Sequence, residues 1–297
     1  MYPRSFEYFS PQNLGEALEY LNQSAEARIL AGGQSLIPAL KLRTRSVRAL
    51  VDITPLKELR YIRQEGGVLR LGALTTVATV ATDQKVMSLV PILREAAEQI
   101  ADPLVRNRGT IGGNLCQADP TNDLPAVMLA LNATVLATSL RGIRRMSADS
   151  FFVGSGRASL ARDEILTEIE VPVPGQRTGS AYRKVKKGSG GFSIAGAATC
   201  LSVADGSTVD RCRIGLSAVG PTALRARDAE RTLIGNVPTP TIVDRAAERA
   251  VNASQPSDDL NASKAYRRTV LHTLVKDSIT ASYEVALARN GTHANEI

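Results

Sequence analysis

Apolar residues recur along the chain at two kinds of spacing, which predict a mixture of helices and strands. Spacings of three and four residues predict helices that open at Ser10 and Pro11, at Ser35, near Pro91 and at Asp123, and further helices over 241–251 and 263–288. Alternating or continuous apolar runs predict strands at 28–31, 50–53, 61–63, 68–71, 134–138, 143–146, 164–171, 192–203 and 208–218. The order of these elements predicts an α+β protein.

A chain of 297 residues is longer than one compact core usually serves, so we expect several units. The predicted elements divide into three units. Residues 1–55 contain a compact βαβ unit, and residues 56–175 contain a hairpin at Gly66 and Gly67. Residues 176–297 contain a hairpin at Asp205 and Gly206 that is followed by helices. The linker between the last two units is predicted at 172–176, where proline and glycine cluster.

Composition excludes several classes of chemistry. The chain has two histidines, His272 and His293, which leaves little basis for Ser–His–Asp hydrolysis or for a multi-histidine metal site. Its three cysteines, Cys116, Cys200 and Cys212, are widely spaced, so we expect buried thiols and no metal or iron–sulfur site made by this chain alone.

Location and partners are constrained by apolar content and charge. No run of about 18 apolar residues predicts a membrane span, and the first residues lack a signal-peptide core, so we expect a cytoplasmic protein. The net charge of +7 suits an anionic ligand. Because the chain has no tryptophan and only 4% aromatic residues, base stacking has little support, and we expect no nucleic-acid partner.

Two glycine-rich turns are the strongest candidates for a ligand site. The first is Ala31–Ser35 (AGGQS) and the second is Gly109–Asn114 (GTIGGN). Glycine allows close approach of a ligand to the backbone, and successive N–H groups before a helix bind anions, so two such turns suit the two phosphates of a dinucleotide. The alternative is an ordinary bend, as at Gly66 and Gly67. Neither a Rossmann G-x-G-x-x-G nor a P-loop motif is present.

Five segments together resemble a known family. They are AGGQSLIP (31–38), KLR (41–43), LVDI (50–53), RNRGTIGGNL (106–115) and DPTNDLP (119–125). Their order, spacing and content resemble the FAD-binding medium subunit of the molybdenum hydroxylases, the group of carbon monoxide dehydrogenase and xanthine dehydrogenase. The resemblance covers nearly the whole chain. It implies the FAD-binding fold of p-cresol methylhydroxylase-type flavoproteins, in which two α+β subdomains bind FAD and a C-terminal α+β domain follows.

The resemblance also implies which residues contact FAD. The first turn would hold the pyrophosphate through the backbone N–H groups of 32–36, and the second turn would contact the diphosphate and ribityl chain. The implied set is Ala31, Gly32, Gly33, Gln34, Ser35, Leu36, Thr110, Gly112, Gly113, Asn114, Asp123 and Lys184. Asp123 has a second interpretation as a helix N-cap. Lys184 matches a lysine near the flavin ring, and its alternative is a solvated surface lysine.

The family resemblance implies partners and a function. A large subunit would carry molybdopterin and a small subunit two 2Fe-2S clusters, in a dimer of heterotrimers, and this chain would pass electrons from those clusters through FAD to an external acceptor. Catalytic side chains are not expected here, since the cofactor performs the chemistry. Two rivals stay open: a free-standing FAD reductase resembling the enolpyruvyl-UDP-N-acetylglucosamine reductases, and a flavin-free binding or assembly protein.

Overall fold

A computed structural model describes residues 2–24, 26–188, 190–204 and 207–291. Its strands are β1 (Glu7–Phe9), β2 (Ala27–Leu30), β3 (Ala49–Asp52), β4 (Ile62–Glu65), β5 (Val68–Gly72), β6 (Thr134–Ser139), β7 (Gly142–Ser147), β8 (Phe152–Gly154), β9 (Arg157–Ala158), β10 (Ile165–Pro172), β11 (Thr178–Lys186), β12 (Ser193–Val203), β13 (Val209–Ser217) and β14 (Leu224–Arg225).

The helices lie between and around these strands. They are α1 (Leu14–Gln23), α2 (Leu36–Lys41), α3 (Val77–Thr82), α4 (Gln84–Leu89), α5 (Pro91–Gln99), α6 (Pro103–Arg108), α7 (Ile111–Gln117), α8 (Asp123–Ala130), α9 (Ala148–Phe151), α10 (Arg227–Leu233), α11 (Pro240–Ala253) and α12 (Lys264–Gly291), with a 3-10 helix at Lys57–Leu59. Within the described ranges, none of the helices is long and apolar enough to cross a membrane.

Three main sheets organise the chain. The N-terminal sheet is parallel in the order β1-β3-β2, and β2, α2 and β3 form the predicted βαβ unit. The middle sheet has the order β4-β5-β10-β6-β7, and the C-terminal sheet the order β11-β12-β13-β14, both with antiparallel neighbours. The α+β prediction is confirmed.

Each sheet buries an apolar core of its own. The N-terminal core joins α1 to β3 around Ala17, Leu18 and Val51, and the middle core gathers α3, α5, α7 and α8 against the sheet. In the C-terminal core, α12 packs on β11 and β12, α10 packs on β13, and α11 packs on these two helices. The long helix α12 buries Leu271, Val275 and Ile279, as the apolar spacing predicts.

Helix α8 joins the middle and C-terminal cores. All eight of its residues are buried. It packs so closely on β13 that a Cβ at Gly215 would lie 2.0 Å from the carbonyl oxygen of Ala126. Because α8 begins at Asp123, this packing fixes one candidate site residue against the C-terminal sheet.

The local structure corrects two predictions. Helix α1 begins at Leu14, because Asn13 is its N-cap and accepts a hydrogen bond from the Glu16 N–H, while the Glu16 side chain accepts one from the N–H of Gln12. Asp123 is the first helical residue of α8 and Asn122 is its N-cap, so the N-cap interpretation of Asp123 is wrong.

Other local predictions are confirmed. Gly66 and Gly67 form the two-residue hairpin turn between β4 and β5, with φ of +54° and +79°. Cys116, Cys200 and Cys212 are unpaired thiols, and burial raises the pKa of Cys116 to about 12 and that of Cys200 to about 11. Asp205, Gly206 and His293 lie outside the described residues, although β12 and β13 pair as the hairpin requires.

An ion cluster also connects the middle and C-terminal units. Asp149 of α9 accepts hydrogen bonds from Arg213 at 2.6 Å, Arg227 at 2.9 Å and Arg225 at 3.3 Å. Burial acts to raise the pKa of Asp149, but the hydrogen bond from Arg213 and the charges of the three arginines outweigh it and hold that pKa below its ordinary value.

Replacing Asp149 with asparagine should therefore lower the free energy of unfolding at neutral pH by about 2 kcal/mol. The folded-state pKa is lowered, so this stabilisation is present above the ordinary carboxyl pKa and is lost as the pH falls through the folded value. Asp149→Asn should consequently lose less stability on acidification than the wild type, measured by urea unfolding at neutral and acid pH. Asp228→Asn, in an exposed pair with Arg231, is the control. Equal acid sensitivity of Asp149→Asn and the wild type would contradict this.

Candidate functional site

The two glycine turns lie against each other. The first connects β2 to α2, and the second runs from the end of α6 into the first turn of α7. A Cβ at Gly32 would lie 2.2 Å from the carbonyl oxygen of Arg108 and 2.8 Å from the Cα of Gly109. Only glycine permits this backbone contact. The two turns therefore form one site, although Gly32 and Thr110 are 78 positions apart in the sequence.

The first turn presents a row of N–H groups to a ligand. In the described part of the chain, no oxygen accepts a hydrogen bond from the backbone N–H groups of 32–36. Gly33 has φ of +73°, a conformation that favours glycine, and Ser35 occupies the N-cap of α2 without a side-chain capping bond. Successive free N–H groups and a free hydroxyl at a helix start form an anion-binding concavity.

The second turn is built differently. The N–H of Ile111 donates to Thr75 O, that of Gly112 to Ala73 O, and that of Asn114 to Thr110 O. The N–H of Gly113 donates to the Thr110 hydroxyl. The expectation that both turns offer free N–H groups is therefore wrong for the second turn, because its helix start is already satisfied within the protein.

Gly112 and Gly113 of the second turn are required for different reasons. A Cβ at Gly112 would lie 2.7 Å from the Cβ of Ala73, so this glycine is required by packing inside the protein. A Cβ at Gly113 would lie 2.8 Å from the Thr110 hydroxyl and 3.8 Å from the Cβ of Ala31 in the first turn. Gly113 therefore lines the junction of the two turns.

Within the second turn, the Asn114 side chain offers a polar atom to a ligand. Its side-chain oxygen Oδ1 is buried and has no hydrogen-bond partner among the described residues. Its backbone oxygen accepts a hydrogen bond from the Asn122 side chain at 3.0 Å, which connects the turn to the start of α8 and Asp123. A buried amide oxygen without a partner is costly and indicates a missing ligand donor.

Replacing Asn114 with leucine tests this interpretation. The variant removes an unsatisfied buried oxygen, so the ligand-free chain should be as stable as the wild type or about 1 kcal/mol more stable. Its dinucleotide affinity should fall at least tenfold, because a hydrogen bond to the ligand is lost. Urea unfolding and ligand titration measure the two quantities, and a large loss of ligand-free stability would contradict the assignment.

Asp123 and Lys184 form a buried ion pair at 2.7 Å, with side chains that are 6% and 1% exposed. Burial lowers the pKa of Lys184, and the charge of Asp123 opposes that shift. The solvated-surface interpretation of Lys184 is therefore wrong. The Asp123 carboxylate also accepts hydrogen bonds from Tyr182 at 2.5 Å and Ser193 at 2.6 Å.

Tyr182 and Ser193 were not predicted as site residues from the sequence. Tyr182 lies two residues before Lys184 on β11, so the strand period of two places both on one face, and this was an available signal. Ser193 follows a glycine-rich loop and carries no pattern of its own. Burial and the Asp123 charge raise the pKa of Tyr182, so its hydroxyl remains a donor.

The site fits a large anionic dinucleotide. The first turn offers free N–H groups for phosphate, Asn114 offers a buried acceptor, and the buried Lys184 ammonium donates only to Asp123 among the described residues. A continuous set of contacts runs from the first turn through the second turn and Asn122 to Asp123 and Lys184. Fold and site therefore suit a protein that binds an anionic dinucleotide at the junction of its two glycine turns.

Comparisons with known proteins agree with this class. Residues 4–174 match the family model described as the FAD binding domain in molybdopterin dehydrogenase, and residues 180–281 match the CO dehydrogenase flavoprotein C-terminal domain. The carbon monoxide dehydrogenase medium chain of Hydrogenophaga pseudoflava is 39% identical over 95% of this chain and 99% of its own length. The glyceraldehyde dehydrogenase medium chain of Sulfolobus acidocaldarius is 36% identical over 92% and 97%.

A solved structure is similar over almost the whole chain. It is the carbon monoxide dehydrogenase from Hydrogenophaga pseudoflava that lacks the Mo-pyranopterin moiety of the molybdenum cofactor, with a TM-score of 0.94, 40% identity, and coverage of 96% of this chain and 99% of that one. The chain belongs to the FAD-binding medium subunits of the molybdenum hydroxylases. It is an FAD-binding subunit of an oxidoreductase.

Proposed function

We propose that this chain holds one FAD across its two glycine turns, as the flavin subunit between an iron–sulfur subunit and an external acceptor. The row of free N–H groups over 32–36 carries the proposal, because it supplies a phosphate site where the second turn supplies none. In this assignment Gly32 to Leu36 bind the pyrophosphate. Ala31, Thr110 and Gly113 line the approach, and Gly112 supports it from within the protein.

The remaining residues act on the ribityl and flavin parts. Asn114 accepts a hydrogen bond through Oδ1, and Asp123 offers its free lone pair to a ribityl hydroxyl. Lys184 holds a positive charge in a buried position, where low dielectric strengthens its effect on a neighbouring group. When bound, FAD supplies the transfer of electrons from the partner's 2Fe-2S clusters to the acceptor.

The assembly belongs to the same proposal. Relatives are named medium chains, which supports a heterotrimer with a large molybdopterin subunit and a small iron–sulfur subunit. We also propose that two heterotrimers associate and that the complex lies in the cytoplasm. Three unpaired thiols suit a reducing compartment. Light scattering of the purified complex measures its mass, and a mass equal to one heterotrimer would contradict the dimer. Cell fractionation tests the location, and recovery of the complex outside the cytoplasm would contradict it.

Co-expression with the two partner subunits tests the function. The purified complex should show flavin absorption bands and about one FAD per copy of this chain, and the bands should bleach when the substrate of the large subunit is added. A complex without flavin bands even after incubation with FAD would favour the flavin-free binding protein. A monomer that is stable and reduces a substrate by itself would favour the free-standing reductase.

A further inference from the structure

Among the described residues, every side-chain donor to the Asp123 carboxylate comes from the C-terminal strands. Tyr182 and Ser193 donate to Oδ1 at 2.5 and 2.6 Å, and Lys184 donates to Oδ2 at 2.7 Å. Tyr182 and Lys184 lie on β11 and Ser193 is the first residue of β12, whereas Asp123 opens α8 in the middle unit. The position of this carboxylate is therefore decided by the C-terminal sheet.

The Asp123–Lys184 pair keeps unused capacity although it is buried. A carboxylate accepts at about four lone-pair positions and an ammonium donates three hydrogens. Three donors occupy Asp123, and among the described residues Lys184 donates to Asp123 alone. One acceptor position and two donor positions are thus left, and a ligand is the natural partner for polar groups in such a place.

Arg267 holds the strands that carry these donors. Its side chain lies in the first turn of α12 and is 3% exposed. Its Nη1 donates to the backbone oxygen of Ile194 at 2.5 Å and to that of Ala218 at 3.2 Å, and Asp259 accepts from its Nη2 at 2.6 Å. Ile194 follows Ser193, so one guanidinium fixes the backbone beside a donor to Asp123.

Ala218 fixes the other side of the same site. It follows Ser217, whose hydroxyl lies 3.5 Å from that of Tyr182. Ala218 has φ of +62°, which is strained for a residue with a Cβ. Its N–H donates to the backbone oxygen of Pro120 at 2.7 Å, in the loop that leads into Asp123. Strain of this kind persists where surrounding contacts hold the backbone in place.

We propose that Tyr182, Ser193 and Arg267 are positioning residues of the FAD site, which hold the Asp123 carboxylate and the Lys184 ammonium in their binding geometry before FAD arrives. The proposal rests on the assignment of Asp123 and Lys184 to that site. A site held in its bound geometry avoids the ordering cost on binding, so loss of a positioning contact weakens the affinity even though FAD never touches it.

A double-mutant cycle on the complex tests this. The complex is freed of FAD and titrated with FAD, with Tyr182→Phe, Asp123→Ala and the double variant compared. Tyr182→Phe should raise the Kd about tenfold in the wild-type background and less than twofold in the Asp123→Ala background, where the Tyr182 hydroxyl has no acceptor at position 123. The visible absorption maxima of the bound flavin should also shift in Tyr182→Phe. Arg267→Lys, which keeps the charge but loses the fork of donors, should raise the Kd severalfold.

Tyr283→Phe is the matched control. It removes a tyrosine hydroxyl of the same domain that donates to the Ser207 backbone oxygen at 2.9 Å, away from Asp123. Its Kd and flavin spectrum should equal those of the wild type. Ser193→Ala removes the other hydroxyl that donates to Asp123 Oδ1 and gives the same comparison if Tyr182→Phe fails to fold.

If Tyr182→Phe raises the Kd for FAD by the same factor in both backgrounds, the positioning role is overturned. A Kd of Tyr182→Phe within twofold of the wild-type value would also overturn it. A wild-type complex that binds no FAD would instead overturn the proposed function, so the two failures are distinguishable.

Discussion

Replacing Gly32 with alanine should lower the FAD affinity about a hundredfold. The new Cβ would lie 2.2 Å from the Arg108 carbonyl oxygen and 2.8 Å from the Gly109 Cα, and both of these are backbone atoms that cannot rotate away. The two turns must separate by about 1 Å to relieve the overlap, and a displacement of that size costs about a hundredfold where groups must converge on one ligand. FAD titration of the complex measures the loss.

The Gly67→Ala variant is the control for this experiment. Gly67 also belongs to a Gly-Gly pair and has φ of +79°, but no atom lies within 4 Å of its added Cβ. Alanine there should cost about 1 kcal/mol of stability through backbone strain and leave the FAD affinity unchanged. An unchanged affinity in Gly32→Ala, or an equal loss in both variants, would show that contact between the turns is unnecessary for binding.

Breaking the Asp123–Lys184 pair should destabilise the FAD-free chain by about 3–5 kcal/mol. Asp123→Asn leaves the Lys184 ammonium buried without its counter-charge, and Lys184→Met leaves the carboxylate with only two hydroxyl donors. The double variant Asp123→Asn/Lys184→Met should recover most of the loss, because neither charge is then buried alone. Urea unfolding of the four proteins measures these differences.

The exposed pair of Arg94 and Glu98 on α5 is the matched comparison. Its side chains are 39% and 49% exposed, and Glu98→Gln should cost less than about 0.5 kcal/mol. If Asp123→Asn costs no more than Glu98→Gln, the pair at the site contributes nothing to the folded state. If the double variant is no more stable than the single ones, the loss comes from packing rather than from an unpaired charge.

Local features of the fold were predictable from the sequence because they depend on nearby residues. The βαβ unit, the Gly66–Gly67 hairpin and the buried face of α12 follow from apolar spacing and from the positive φ that glycine adopts. The start of α1 was misplaced because Asn13 caps the helix by accepting a hydrogen bond from the Glu16 N–H, and this cap competes with the Ser10 and Pro11 signal. The unit boundaries at 55 and 175 stay a prediction.

The properties of individual site groups depended on distant segments. The sequence around Lys184 is typical of a solvated lysine. In the structure, however, Asp123, 61 positions earlier, lies 2.7 Å from its ammonium, and both side chains are buried. The sequence of the second turn predicts free N–H groups, but the backbone oxygens of Ala73 and Thr75 accept hydrogen bonds from two of them. A free and an occupied N–H are identical in the sequence, because the acceptor comes from another strand or turn.

The sequence by itself determined many of the longer elements and pointed to the family, since order, spacing and glycine content are recorded in the chain. The tertiary structure decided how the two glycine turns differ, with free N–H groups in the first and an unpartnered Asn114 oxygen in the second. It also decided that the C-terminal sheet holds Asp123 through Tyr182, Lys184 and Ser193. Burial and hydrogen-bond partners are set by which segments meet, and no local pattern encodes that contact.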